Sequence, residues 1–277
     1  MKPAANAPIG IFDSGIGGLT VVKAVQKQLP NEDIIYFGDT ARVPYGIKSV
    51  NTVRNYALQI TDFLLERNVK MVLIACNTVA ASAEAEVTEL CAKHGVPVLG
   101  VIEAGTLAAV ELSEKNRKSD PRIGVIGTLA TINSGAYETA LQEKYTKTTV
   151  YSKACPLLVP LAEEGWTDNA VARQTLEFYL KPFKDKHLDA LILGCTHYPL
   201  FKSLIEDILN DTHTAIIDSA DSIAAMAKDH LAQKELLNSQ QEIGNFSCFV
   251  SDKPQRFQKL AELFLGRHIH KIEIVKL

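Results

Sequence analysis

Short runs of consecutive aliphatic residues alternate along the chain with longer stretches whose apolar positions recur every three or four residues. The runs fall at residues 9–12, 34–37, 69–75, 97–101, 123–126, 188–193 and 215–217, and the periodic stretches at 18–28, 49–66, 80–93, 170–180 and 221–232. Strand, helix, strand, helix predicts an α/β fold built on parallel sheets. The runs around Leu73 and Ile192 are apolar at consecutive positions rather than at alternate ones, as in central strands covered on both faces. Ligands of such sheets collect at the carboxyl ends of the strands.

Two pairs of segments match across the chain. Residues 72–78, Val-Leu-Ile-Ala-Cys-Asn-Thr, parallel residues 191–197, Leu-Ile-Leu-Gly-Cys-Thr-His; upstream, Ile-Gly-Ile-Phe-Asp-Ser at 9–14 parallels Ile-Gly-Val-Ile-Gly-Thr at 123–128. The pattern suggests two related α/β units facing one another. Their expected limits are residues 1–102 with 217–277 for the first unit and 103–216 for the second. The charged stretch 111–122, with Pro121, reads as a surface connection, and the strand-like segment 270–276 as a return to the first unit.

Composition narrows the function classes. The 277 residues are 47% hydrophobic and 22% charged, which excludes disorder, and a net charge of −3 argues against nucleic acid as a main partner. The apolar runs are too short to span a bilayer and no signal-like segment opens the chain, so a cytoplasmic protein with no membrane partner is expected. Five cysteines, Cys76, Cys91, Cys155, Cys195 and Cys248, form no CxxC pair, and the seven histidines do not fall at zinc-finger spacings, so neither a disulfide framework nor a metal site is expected.

Cys76-Asn77-Thr78 and Cys195-Thr196-His197 each place a thiol where a buried strand ends. One such cysteine alone reads as a small core residue. A pair facing across a cleft offers what inversion of a stereocentre needs, a base on one face of the substrate and an acid on the other. His197 could stabilise a thiolate, whose ordinary pKa is about 8.5. Asp13-Ser-Gly-Ile-Gly-Gly18 follows a strand and opens a helix, so its N–H groups suit an anion, but Thr20 stands where a dinucleotide fingerprint has its third glycine. Asp13 is either a cap or a functional carboxylate. In the loop 39–46 Pro44 and Gly46 shape a turn that leaves Tyr45 facing a ligand, while Arg42 pairs with a carboxylate ligand or with Asp39. Glu163 and Glu164 read as a solvated helix end or as an acid orienting His197. Cys91, Cys155 and Cys248 have no polar pair of this kind following them in the sequence and are assigned to structure.

Together, Asp13-Ser-Gly-Ile-Gly-Gly18, Asp39-Thr-Ala-Arg-Val-Pro-Tyr-Gly46, Cys76-Asn-Thr78 and Gly194-Cys-Thr-His-Tyr-Pro199 resemble the glutamate racemase family of the aspartate/glutamate racemase superfamily, in order, from residue 9 to about residue 200. The resemblance implies cofactor-independent transfer of the α-proton of glutamate, supplying D-glutamate for peptidoglycan, by a homodimer of two-domain subunits with the site in the cleft between domains. Carried over, Cys76 takes the proton from D-glutamate and Cys195 from L-glutamate, assisted by Asp13 and His197, with Glu163 as the further acid. Ser14, Tyr45, Gly46, Asn77, Thr78 and Thr196, with Asp13 and His197, would hold the substrate. An aspartate racemase is the nearest alternative, and a thiol redox sensor or a nucleotide-binding regulator the more distant ones. About eight residues precede the first strand, too few for the extension found in members activated by a cell-wall precursor nucleotide, so that activation is not expected.

Overall fold

The computed structural model describes residues 3–252 and 257–277. Its strands are β1 (Ile9–Asp13), β2 (Ile34–Gly38), β3 (Met71–Ile74), β4 (Val98–Gly100), β5 (Arg122–Gly127), β6 (Thr149–Ala154), β7 (Ala190–Gly194), β8 (Ala215–Asp218), β9 (Phe246–Val250) and β10 (Ile272–Ile274). They form one sheet in the order β10-β9-β2-β1-β3-β4 and a second in the order β6-β5-β7-β8. Every pairing is parallel. The helices are α1 (Leu19–Gln28), α2 (Val50–Leu65), α3 (Asn77–Ala92), α4 (Val101–Lys115), α5 (Leu129–Asn133), α6 (Ala136–Lys144), α7 (Leu158–Glu163), α8 (Ala170–Leu180), α9 (Lys202–Ile208), α10 (Ser219–Gln233) and α11 (Phe257–Leu265).

The repeated sequence pattern is a repeated topology. The order β2-β1-β3-β4 of the first sheet is that of β6-β5-β7-β8 in the second, with β9 and β10 added at the outer edge of the first. Register makes the match residue by residue. Phe12 lies beside Ile74 in one sheet and Ile126 beside Leu193 in the other. Cys76 and Cys195 therefore occupy equivalent places, two residues beyond Ile74 and Leu193, and so do Ser14 and Thr128, two residues beyond Phe12 and Ile126. Both thiol-bearing strands are buried along their whole length, which fits runs of β-branched and aliphatic residues with helices on both faces.

The sequence reading differs from the structure at several places, among them strand β9, which none of its aliphatic runs covers. The stretch 111–122 is not all connection, because α4 continues to Lys115. Leu112 packs on the core and Ser113 is buried, its hydroxyl donating to the Ala109 carbonyl, while the charged residues lie on the open face. Helix α3 begins at Asn77, not Ala80, with Cys76 as its N-cap, so the polar pair after the first thiol forms the first turn of a helix. Strand β6 has no counterpart in the apolar pattern, since this edge strand, Thr-Val-Tyr-Ser-Lys-Ala, is half exposed throughout. The returning segment does join the first sheet, as β10 beside β9.

Candidate active site

The carboxyl ends of β1, β3, β5 and β7, with the loop after β2 and helix α7, surround a cavity of about 60 Å³. Of the residues expected at a site, Ser14, Tyr45, Cys76, Asn77, Thr78, Glu163, Cys195, Thr196 and His197 line it. Both thiols reach the same cavity, one from each sheet. Apart from His197, no lining side chain among the described residues is cationic.

The first thiol is surrounded by hydroxyl, backbone and carboxylate groups. Cys76 donates to Ser14 Oγ at 3.4 Å. Burial pushes its pKa up to about 12, and the charge of Asp13 adds to this; the Ser14 hydroxyl and the backbone N–H groups of Val79 and Ser14 pull the other way. Asp13 lies behind the cavity, fully buried, accepting from the Gly15 N–H at 2.9 Å and from the Thr196 hydroxyl at 3.4 Å. Burial raises its pKa too, opposed first by the charge of His197 and then by these hydrogen bonds.

The second thiol has an imidazole. Cys195 Sγ lies 3.8 Å from His197 Nδ1, and His197 Nε2 lies 3.4 Å from Glu163 Oε1. Burial alone would lower the imidazole pKa, but hydrogen bonds to Cys195 and Glu163 and the charges of Cys195 and Asp13 outweigh it, and the pKa rises to about 10. The sulfur and the carboxylates around the ring thus raise its affinity for a proton. Of the adjacent glutamates, Glu163 faces His197 and lines the cavity.

The glycine loop lines the cavity with Ser14 and Gly15 and also makes a contact between the halves. A methyl group at Gly17 would lie 2.3 Å from Thr196 Oγ1 and 2.6 Å from His197 Nδ1, so only glycine lets the loop after β1 touch the residues that follow Cys195. The Thr20 hydroxyl secures the contact, its one hydrogen shared between the Gly17 and Thr196 carbonyls at 2.9 and 3.2 Å. Arg42 pairs with Asp39 at 2.6 Å and bonds Gln59, rather than facing the cavity. Asp39 also accepts from Ser251 Oγ at 2.6 Å and from the Tyr45 hydroxyl, so Tyr45 presents its ring to the cavity while its polar end is engaged behind. Gly46 does not line the cavity; its Cα packs toward Thr128.

The sequence reading missed Thr128 and Val159, which line the cavity, and Tyr137, which stands behind Asn77. Thr128 caps α5 and its hydroxyl lies 3.3 Å from that of Thr78. The internal repeat holds the signal for it, because Thr128 stands where Ser14 stands in the first copy.

Two parallel α/β sheets of one strand order, each ending a central strand in a thiol that reaches a shared cavity, define the class as a duplicated α/β protein with a two-thiol cleft. The model of the Asp/Glu/Hydantoin racemase family matches residues 16–227. A glutamate racemase of Syntrophus aciditrophicus is 49% identical over 271 residues, 98% of this chain and 97% of its own; one of Chlorobaculum tepidum is 50% identical over 274 residues, 99% and 98%. The crystal structure of glutamate racemase from Francisella tularensis in complex with D-glutamate superposes with a TM-score of 0.88 at 42% identity, covering 98% of each chain. The chain belongs to the Asp/Glu/Hydantoin racemase family and is an amino-acid racemase.

Proposed function

We propose that this racemase interconverts L- and D-glutamate by moving the α-proton between two cysteines, without a cofactor. The observation that carries the reading is that Cys76 and Cys195 end equivalent strands and line one cavity. With D-glutamate bound, Cys76 passes its thiol proton to the Asp13 carboxylate and as a thiolate takes the α-proton: the C–H bond breaks, an S–H bond forms, and the electron pair passes into the α-carboxylate as an enediolate. The Cys195 thiol then returns a proton to the opposite face of the carbon. From L-glutamate the thiols exchange roles.

An amino-acid α-proton is weakly acidic, so the enediolate must be stabilised as it forms, and fixed hydrogen-bond donors in a dry site serve this best. Asn77, Thr78, Thr196, Ser14 and Thr128 supply neutral donors, and the first turn of α3 adds backbone N–H groups with their partial positive charge. His197 holds the proton that Cys195 gives up or receives, with Glu163 setting the ring. Asp13 acts on Cys76 and on His197 from behind. Glutamate is favoured over aspartate because the relatives at 49–50% identity across nearly the whole chain carry that name.

The two-unit division fits the sheets with its second junction after Asp218 instead of 216, since all of β8 lies in the second sheet; residues 1, 2 and 253–256 lie outside the described residues. A homodimer in the cytoplasm, supplying D-glutamate for peptidoglycan, completes the reading. Among the described residues no helix is long and apolar enough to cross a membrane. The test is incubation with each enantiomer of glutamate, and of aspartate, in D₂O, following α-deuterium and optical rotation. Loss of rotation with deuterium uptake is expected for glutamate from either side; inertness toward both glutamates refutes the reading.

A further inference from the structure

Tyr137 belongs to neither sheet, yet it touches the chain beside both thiols. It sits in the first turn of α6, after Gly135 in the left-handed conformation at φ 66°, and is buried. Its hydroxyl donates to Asn77 Oδ1 at 2.7 Å, next to Cys76, with Ser219 Oγ 3.3 Å away. Its ring fills the space above Gly194, next to Cys195, where a methyl group would lie 3.0 Å from Cε2. Meanwhile Asn77 Nδ2 is buried with no hydrogen-bond partner among the described residues, and Asn77 lines the cavity. An amide so placed leaves a buried donor unsatisfied unless a ligand takes it.

We infer that Tyr137 is a positioning residue for the racemase reaction, fixing the Asn77 amide with its NH₂ toward the substrate carboxylate; this rests on the glutamate reading above. A side-chain amide has two nearly isosteric orientations. With the phenol donating to Oδ1, Nδ2 is left for the cavity; without it, the amide can turn its carbonyl oxygen toward a carboxylate, and the contact becomes repulsive. Burial raises the phenol pKa above its ordinary value, so the hydroxyl keeps the proton it donates. Because Tyr137 comes from α6 and Asn77 from α3, the bond forms only when the two halves are seated as here.

Tyr137→Phe keeps the ring above Gly194 and deletes only the hydroxyl. One neutral hydrogen bond supports an expectation of about a tenfold loss in kcat in both directions, with KM changed less than about twofold. Since Tyr137 acts through Asn77, Y137F/N77A should be no slower than N77A. A readout independent of turnover is the Asn77 side-chain NH₂ resonance, assigned by its absence in N77A, which should shift in Y137F while the circular dichroism spectrum stays that of the folded protein. Wild-type kcat in Y137F, losses that multiply in the double variant, or an unmoved NH₂ resonance would each overturn the inference. Wild-type enzyme inert toward glutamate would sink the substrate reading and this inference with it, whereas active wild type beside fully active Y137F sinks the inference alone.

Discussion

At the end of β3, the Cys76 thiol meets a hydroxyl, backbone N–H groups and a buried carboxylate; at the end of β7, Cys195 meets an imidazole with a glutamate behind it. The two strand ends are the same position of one repeated topology. The frame fixes where each thiol lies, and the two residues after it fix how it is served. Asn77 and Thr78 open a helix whose N–H groups face the first sulfur, while Thr196 and His197 enter a short 3₁₀ turn that brings a ring beside the second. A duplicated scaffold thus gives two thiols of matched placement and unlike surroundings. That suits a reaction whose substrates are mirror images at one carbon bound by a chiral protein.

The comparison is tested most severely by removing either thiol. Cys76→Ala and Cys195→Ala should each lower racemisation by at least ~10³-fold, because each deletes an acid or base that no neighbour replaces; activity within tenfold of wild type in either variant contradicts the assignment. Next come the unlike partners. The enantiomers have equal free energy in water, so kcat/KM must stay matched in the two directions, and any asymmetry appears in kcat and KM separately. His197→Asn should lower kcat more when L-glutamate is the substrate, and Asp13→Asn more when D-glutamate is, each by roughly 10²-fold. The same direction of asymmetry in both variants would break the pairing of partner with thiol.

A smaller effect probes the contact between the halves. Gly17→Ala forces a methyl group against Thr196 and His197, and should cost about 1–3 kcal/mol of stability, seen as a lower denaturant midpoint, with a fall in kcat. Unchanged stability would show that the two loops part freely. Smaller again is a pH effect confined to the second thiol's side. The folded pKa of His197, about 10, lies above its unfolded value of about 6.5. Its contribution to stability is therefore fully present below pH ~6.5 and is lost as pH rises toward about 10. The melting-temperature gap between wild type and His197→Asn should narrow over that range, and a widening gap contradicts the shift. Least affected should be Cys91→Ala and Cys155→Ala, with kcat within about twofold of wild type, since neither thiol lines the cavity.

Legibility followed burial. Strands covered on both faces, such as β3 and β7, announce themselves as unbroken aliphatic runs, and so did the thiols at their ends. Strand β6, at an edge with Ser152 and Lys153 in its middle, carries no such run because solvent accepts its polar side chains. The end of α4 read as a linker because its open face is charged, although Leu112 and Ser113 keep it on the core. In the site, residues adjacent to a thiol in sequence were readable. Thr128 was in view within the repeat, but a lone threonine after Gly127 has no chemical mark. Tyr137 had none at all, since its bond to Asn77 spans sixty residues and exists only through the tertiary seating of α6. Arg42 was open between two partners from spacing alone, and the buried Asp39, holding Tyr45 as well, settles it.

The most direct test of a one-thiol-per-face reaction is α-deuterium uptake by the single-cysteine variants in D₂O, with each enantiomer supplied separately. Cys195→Ala keeps the base for D-glutamate and should exchange the α-proton of that enantiomer without forming L-glutamate. Cys76→Ala should do the reverse. Exchange of both enantiomers by one variant, or of the same enantiomer by both, would contradict the division of labour between Cys76 and Cys195.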